Sequence, residues 1–264
     1  MFSATVIIRK YDAVTDDSER AARDKRLLSL EAALLATKQD NQAFTSKLCH
    51  DLKSPLRAMC TFSEALSEDY ADVLDDTGRE YLGYIADGAQ SMSRMIDALQ
   101  VYNRLGAGPL SCAMESLDDI VSTVAAGMAS EISASGALID IDKPLGDALI
   151  SRAGFELALQ HVLDNALRFA AAGTPPYIRI AASGTSEGVT LSVTDNGIGI
   201  EPEQCERIFE IFLRLNPDRD TQRTGIGLAI VRKVMTLHGG TVTASPASGG
   251  GTTFALFMPA KTED

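Results

Sequence analysis

Histidine is scarce in this chain. Among 264 residues there are only three, His50, His161 and His238, too few and too far apart for a histidine-rich metal site. Cysteine is almost as rare. Cys49, Cys60, Cys112 and Cys205 form no C-x-x-C pair and no regular framework, a scatter that suits a reducing compartment. No run approaches the ~20 apolar residues of a membrane span. The opening MFSATVIIRKY lacks the long apolar core and small-residue cleavage site of a secretory signal. Basic side chains are outnumbered, 24 against 36, for a formal charge of −12, which argues against a general grip on a nucleic-acid backbone. These absences predict a soluble, cytoplasmic protein that works without nucleic acid.

What is present suffices for a packed core: 45% of residues are apolar and 23% charged, and the length permits one large domain or two modest ones. Residues 2–9 alternate loosely and predict a strand, so that 1–17 reads as a strand and linker. Helical spacing begins near Asp16. Leu27, Leu30 and Leu34 form a short seam, and Phe44, Leu48, Leu52, Leu56, Met59, Phe62 and Leu66 continue on one face at about 100° per residue. The acidic stretch Ser67–Asp76 predicts a turn. Thr77 and Glu80 have the spacing of a capping box, opening a second amphipathic helix through Leu82, Ile85, Ala89, Met92, Ile96, Leu99 and Tyr102. Two such helices over 18–105 make a hairpin that buries its stripe poorly alone, and two hairpins in a homodimer would complete a four-helix bundle.

Gly106-Ala-Gly-Pro109 breaks the pattern, and 106–116 is expected to be a mobile hinge. From 117 to 264 the texture is mixed α/β: helices over Leu117–Ile132, Ala153–Ala172, Pro202–Phe212 and Ile226–Leu237, the last stopped by Gly239-Gly240, and strands over Leu138–Ile141, Tyr177–Ala182, Val189–Thr194, Thr241–Ala244 and Thr252–Met258. The fold class is α+β, a helical hairpin followed by a mixed sandwich domain.

Four segments carry candidate chemistry. In Leu48-Cys-His-Asp-Leu-Lys-Ser-Pro-Leu-Arg57, His50 falls roughly opposite the apolar face of the helical wheel. A solvent-facing imidazole beside Asp51 can act as a nucleophile at neutral pH, and Pro55 removes an amide and crowds the carbonyl of Asp51, loosening the turn that carries it. An ordinary solvated histidine beside a kink fits the same residues. In Leu159–Phe169, His161 and Asn165 share a helix face at i, i+4, with Arg168 three further on. An amide oxygen there suits Mg²⁺ and a guanidinium suits phosphate, although a plain surface face would look alike. In Val193-Thr-Asp-Asn-Gly-Ile-Gly-Ile200, an aspartate at a strand end can accept from an exocyclic amine such as that of adenine. Gly197 and Gly199 allow positive φ and close approach of a ligand, as they would in a simple turn. Thr224-Gly-Ile-Gly-Leu228 opens a helix, and glycines at a helix start make a phosphate site or merely a tight turn.

Together, in this order, these segments resemble a two-component sensor histidine kinase over about residues 20–260. Phe44–Arg57 resembles the family's H box, Leu159–Phe169 the N box, Asp195–Gly199 the G1 box, Ile208-Phe-Glu-Ile-Phe-Leu-Arg214 the F box and Thr224–Gly240 the G2 box. HDLKSPLRA and the short Arg214–Gly225 lid are similar to phytochrome-type kinases. The resemblance implies a Bergerat ATP-binding sandwich, ATP as substrate and Mg²⁺ as cofactor. It implies His50 as phosphoacceptor with Asp51 orienting its ring and taking up its proton, Asn165 on Mg²⁺, Arg168 on phosphate and Asp195 on adenine. Gly197, Gly199, Thr224, Gly225, Gly227 and Leu228 would shape the pocket, and Arg214 would assist near the phosphates. It also implies a response-regulator receiver domain as partner, with a sensor domain or regulatory partner at the N-terminal helix.

Three positions depart from the pattern. His161 stands where the family usually has Asn and is a candidate metal neighbour. Arg223 replaces a glycine. Ser54 stands where Thr or Asn commonly positions a hydrolytic water, so a phosphatase activity is open. Two other functions fit parts of the sequence: a histidine phosphotransfer relay that has lost ATP binding, which nucleotide titration tests, and an ATPase or protein-serine kinase on the same sandwich, which acid lability of the phosphoprotein tests. His238, at a helix end where a cation suits the dipole, reads as structural.

Overall fold

In the computed structural model, a helix starts at Ala4, where a strand was expected, and runs unbroken to Asp69 as α1. Backbone is described for residues 4–106, 110–215 and 224–260, and side chains of α1 from residue 23, excepting 24, 31, 34 and 38; the expected role of Leu34 in the seam and the Arg223 departure lie outside the described residues. Alternation over 2–9 is too short to fix a strand that has no partner, and one more helical turn satisfies each amide locally. The chain divides into two units, Met1–Leu48 and Cys49–Asp264. In the first, α1 shows Leu27, Leu28, Leu30 and Leu35 to solvent.

The second unit starts with the rest of α1 and with α2, Asp76–Arg104. Pro55 sits inside α1 without ending it. The turn is shorter than Ser67–Asp76 and is closed by a different residue. Asp75, not Thr77, caps α2, its Oδ1 accepting the Gly78 amide at 2.7 Å; aspartate is as good an N-cap as threonine and lies nearer the turn. Between the helices Cys49, Leu56, Ala89 and Ile96 are buried, with Cys60 and Leu99 against them. Cys49, Leu56 and Ser63 recur every seven residues on α1, and all three are buried. The larger apolar residues Leu52, Met59, Phe62 and Leu66 stay exposed. The apolar face of α1 therefore splits in two, a narrow seam of Cys49, Leu56 and Ser63 and a wide stripe that stays exposed.

β1, Ala113–Ser116, was not anticipated. It pairs antiparallel with β3, Asp147–Ile150, so the last residues of the expected hinge belong to a sheet; residues 107–109 lie outside the described residues. The helix expected over Leu117–Ile132 is two, α3 (Leu117–Gly127) and α4 (Ala129–Ser135), broken at Met128. β2 (Leu138–Ile141), β4 (Tyr177–Thr185), β5 (Gly188–Asp195), β7 (Thr252–Pro259) and β6 (Thr241–Pro246) form a mixed sheet in the order β2-β4-β5-β7-β6. Only β2 and β4 are parallel. α5 (Arg152–Arg168) and α6 (Gly227–Leu237) cover it, packed on each other, with α3 against α5. The span Pro202–Phe212 contains two 3₁₀ turns, Pro202–Gln204 and Arg207–Phe209, in place of one helix.

Strand periodicity sets the core. Leu191 and Val193 on β5 face Phe254, Leu256 and Met258 on β7 from the same buried layer, closed by Phe155, Leu159, Val162 and Leu163 of α5 and by Ile230 and Val234 of α6. The same period of two carries one step further, to Asp195, and leaves a carboxylate on the buried face at the strand's end.

His238 caps the end of α6 as a neutral ring. Its Nδ1 lies 2.7 Å from the carbonyl of Val234, and its Nε2 accepts the Ser151 amide at 2.8 Å. One nitrogen must donate and the other accept, so the expected helix-end cation is replaced by a neutral imidazole. It is structural, tying the end of α6 to the start of α5.

Candidate functional site

His50 projects from α1 with its side chain 87% exposed. The placement follows from the helix: Cys49, one residue earlier, is buried against α2, and a step of about 100° turns its successor outward. Nδ1 of His50 lies 3.3 Å from Oδ1 of Asp51, which favours the Nδ1–H tautomer and leaves the Nε2 lone pair to solvent. Ser54, one turn on, is exposed. Lys53 is tied to Asp97 and Gln100 of α2, at 2.5 and 3.0 Å, which holds this turn of α1 to its neighbour.

The other predicted residues converge on a cavity of about 280 Å³ between α5, the ends of β5 and β7, and the start of α6. His161, Asn165, Arg168, Asp195, Gly199, Arg214, Thr224, Gly225, Gly227 and Leu228 all line it. His50, Asp51, Ser54 and Gly197 do not. On α5 the lining residues are 161, 164, 165 and 168, the i, i+3, i+4, i+7 stripe of one helix face. Asp164 was missed, although its position in that stripe was available; its Oδ1 holds Nε of Arg168 at 2.8 Å.

Asp195 is buried, with 8% of its surface exposed. Its Oδ1 accepts the amides of Gly197 at 2.8 Å and Thr252 at 3.1 Å. Burial pushes its carboxyl above the usual aspartate range, against the pull of these two donors. With Oδ1 occupied, Oδ2 is the acceptor left for a ligand's N–H.

Two glycines are dictated by this arrangement. A Cβ on Gly251, at φ +87°, would stand 2.0 Å from the carbonyl oxygen of Asp195. Gly197 does not have the positive φ expected of it; it is required because a Cβ would stand 2.3 Å from the carbonyl oxygen of Phe169. The need there is close packing of two backbone segments.

Apolar walls come from Ile198, Ile200, Ile208, Leu213 and Phe254. α6 begins at the cavity without a side-chain cap and without an acidic residue in its first turn, so its first amides and the positive end of its dipole are available to an anion. Flat apolar walls, one buried acceptor, Arg168, Arg214 and an uncapped helix start match the parts of a purine nucleotide. Among the described residues no group of three or more His, Cys, Asp or Glu can hold a metal ion. Asn165 brings an amide group to the cavity wall between His161 and Arg168 on the same helix face.

The remaining contact of interest lies between α6 and the end of α2. Lys233 donates to the carbonyl of Tyr102 at 2.6 Å, and its Nζ stands 4.0 Å from the centre of that ring. No helix among the described residues is long and apolar enough to cross a membrane.

Residues 40–108 match the model of the His Kinase A (phospho-acceptor) domain. Residues 151–262 match that of the histidine kinase-, DNA gyrase B- and HSP90-like ATPase. The phytochrome-like protein Cph1 of Synechocystis is 27% identical over 235 residues, 89% of this chain and 31% of that protein. This chain thus spans under a third of the length of that curated relative. The structure of full-length ShkA in complex with AMPPNP is 26% identical with a TM-score of 0.58, over 83% of this chain and 46% of that one. The histidine kinase ThkA, solved in complex with the response regulator TrrA, shares the fold at 19% identity and a TM-score of 0.58, over 83% of this chain and 61% of that one.

Proposed function

This chain belongs to the sensor histidine kinases, and we propose that it phosphorylates its own His50 from ATP and passes the phosphoryl group to an aspartate of a response-regulator receiver domain. The observation that carries the proposal is the pairing, on one chain, of an outward-facing His50 with a nucleotide-shaped cavity closed by Asp195. A relay protein would not need the cavity, and an ATPase or serine kinase would not need the histidine on a hairpin.

The Nε2 lone pair of His50 attacks the γ-phosphorus. An N–P bond forms as the bridging P–O bond breaks, and ADP leaves with the bonding electrons. The Nδ1 proton, held toward Asp51, passes to that carboxylate or to water, so that the product is a neutral phosphorylated ring. The N–P bond then breaks in favour of an acyl phosphate on the receiver aspartate. In the cavity, Oδ2 of Asp195 accepts from the adenine amino group, Arg168 and Arg214 meet phosphate, and Thr224, Gly225, Gly227 and Leu228 form the phosphate-side wall. The amide oxygen of Asn165 would hold Mg²⁺, which when bound neutralises phosphate charge. Transfer depends on positioning and charge neutralisation more than on acid–base chemistry. Because His50 does not line the cavity, the ATP-binding domain must swing toward the helical hairpin for transfer.

The wide stripe of Leu52, Met59, Phe62 and Leu66 on α1, with Ile85 and Met92 exposed on α2, supports a homodimer in which two hairpins form a four-helix bundle. Ser54 would position a water for dephosphorylation of the receiver. The N-terminal part of α1 would carry the input from a sensor domain or regulatory partner. The decisive experiment replaces His50 with Gln. The wild-type chain incubated with γ-labelled ATP should accumulate acid-labile label, and H50Q none; label retained in H50Q, or resistant to acid, would refute the assignment.

A further inference from the structure

His161 stands one helical turn before Asn165 on the cavity-lining face of α5. Its ring meets the first residue of α6 along one edge. A Cβ on Gly227 would lie 3.2 Å from Nδ1, 3.6 Å from Cγ and 3.8 Å from Cε1. The bare glycine makes room for the imidazole. Side chains at i and i+4 stand about 5–6 Å apart at their Cβ atoms, a span across which one divalent ion can take a donor from each.

We propose that His161 sets the metal preference of this site. With Asn165 it offers a divalent ion one imidazole nitrogen and one amide oxygen, and so favours a first-row transition ion over Mg²⁺. The proposal rests on the nucleotide-binding reading above. Mg²⁺ is a hard ion that seeks oxygen and gives up its waters reluctantly. Nitrogen ligands instead raise affinity along the series from Mn²⁺ through Co²⁺ to Ni²⁺. Because the described residues hold no metal cluster of their own, phosphate oxygens complete the shell, and the preference is expressed only when nucleotide is bound.

The test measures ADP affinity of the whole chain at saturating Mg²⁺ and at saturating Co²⁺, for wild type and His161→Asn. The cobalt-to-magnesium affinity ratio should fall about tenfold in H161N, the size of effect expected when a metal's immediate surroundings change. Mg·ADP affinity should hold or improve. Pulsed electron paramagnetic resonance on the Mn·ADP complex should detect a directly bound imidazole nitrogen in wild type and lose it in H161N. His161→Gln repeats the comparison, so that a folding defect of one variant is not taken for a metal effect. If ADP binds but the ratio is unchanged and no imidazole coupling is seen, His161 is not a ligand and the proposal fails while the nucleotide reading stands. If ADP binds with neither metal, both fail.

Discussion

Asp195→Asn separates the fold of the ATP-binding domain from its function. The carboxyl is buried, and burial raises its pKa above the ordinary 3.8. A folded-state value above the unfolded one means that the folded chain holds the proton more tightly. The stability this brings is fully present below about pH 3.8 and is lost as pH rises through the folded value. At neutral pH the ionised Asp195 is thus a cost to the empty protein. In D195N the amide oxygen still accepts from Gly197 and Thr252, and no buried donor is stranded. The apo melting temperature should hold or rise. Nucleotide binding should move the other way, because an N–H group replaces the charged acceptor that faces the purine amine. A hydrogen bond to a charged group contributes about 1.5–3 kcal/mol, so affinity should fall on the order of 10- to 100-fold. Titration with a fluorescent ATP analogue beside a thermal melt reads both quantities. In wild type, affinity should also weaken on acidification at a higher pH than an ordinary aspartate would dictate. An unchanged affinity in a folded D195N protein would refute the role, and a D195N protein that melts well below wild type would refute the account of the carboxyl's cost.

Three further substitutions probe other parts. Gly251→Ala puts a Cβ 2.0 Å from the carbonyl of Asp195 at φ +87°; strain and overpacking together should cost about 2–5 kcal/mol, read as a lowered denaturant midpoint, and nucleotide affinity should fall with it. Met59→Asp puts a charge on the exposed stripe of α1; if that stripe is the dimer seam, each buried unpaired carboxylate costs about 3 kcal/mol or more, and sedimentation should show monomers where wild type shows dimers. His238→Ala strands the Ser151 amide; a loss of about 1–3 kcal/mol is expected, visible as a lower melting temperature, and a variant as stable as wild type would refute the neutral cap.

The elements that a single period defines were legible in the sequence. α2, α5, α6, β2, β4, β5 and β7 lie where their spacing puts them, within a few residues at each end. The failures have local causes. Alternation over 2–9 had no partner strand to reward it, and the long helix absorbed it. Thr77 and Asp75 compete for the same N-terminus, and chain geometry after the turn favours Asp75. β1 and β3 carry no clear alternation of apolar residues and exist because they pair with each other. On α1 the expected single apolar face conceals two contacts, since small Cys49 and Ser63 take the seam against α2 while the larger residues face outward.

The candidate site divides along the same line. The stripe of α5 is set by helical period, the strand end that buries Asp195 by a period of two, and the start of α6 by glycines; all three can be read from a few neighbouring residues. Thr252, Gly251 and Phe254 were invisible as site residues because their place depends on pairing across the sheet. Thr194 pairs with Thr253, and this register alone sets the Thr252 amide on the carboxylate of Asp195, 57 positions away. The run Gly249-Gly-Gly251 looks like any turn until that register is known. A slip of one residue between β5 and β7 would turn Phe254 and Thr252 to the other face, removing at once an apolar wall of the cavity and a donor to Asp195. Register errors and nucleotide-binding defects should therefore coincide in this domain, and substitutions that weaken β5–β7 pairing far from the cavity should lower affinity as well as stability.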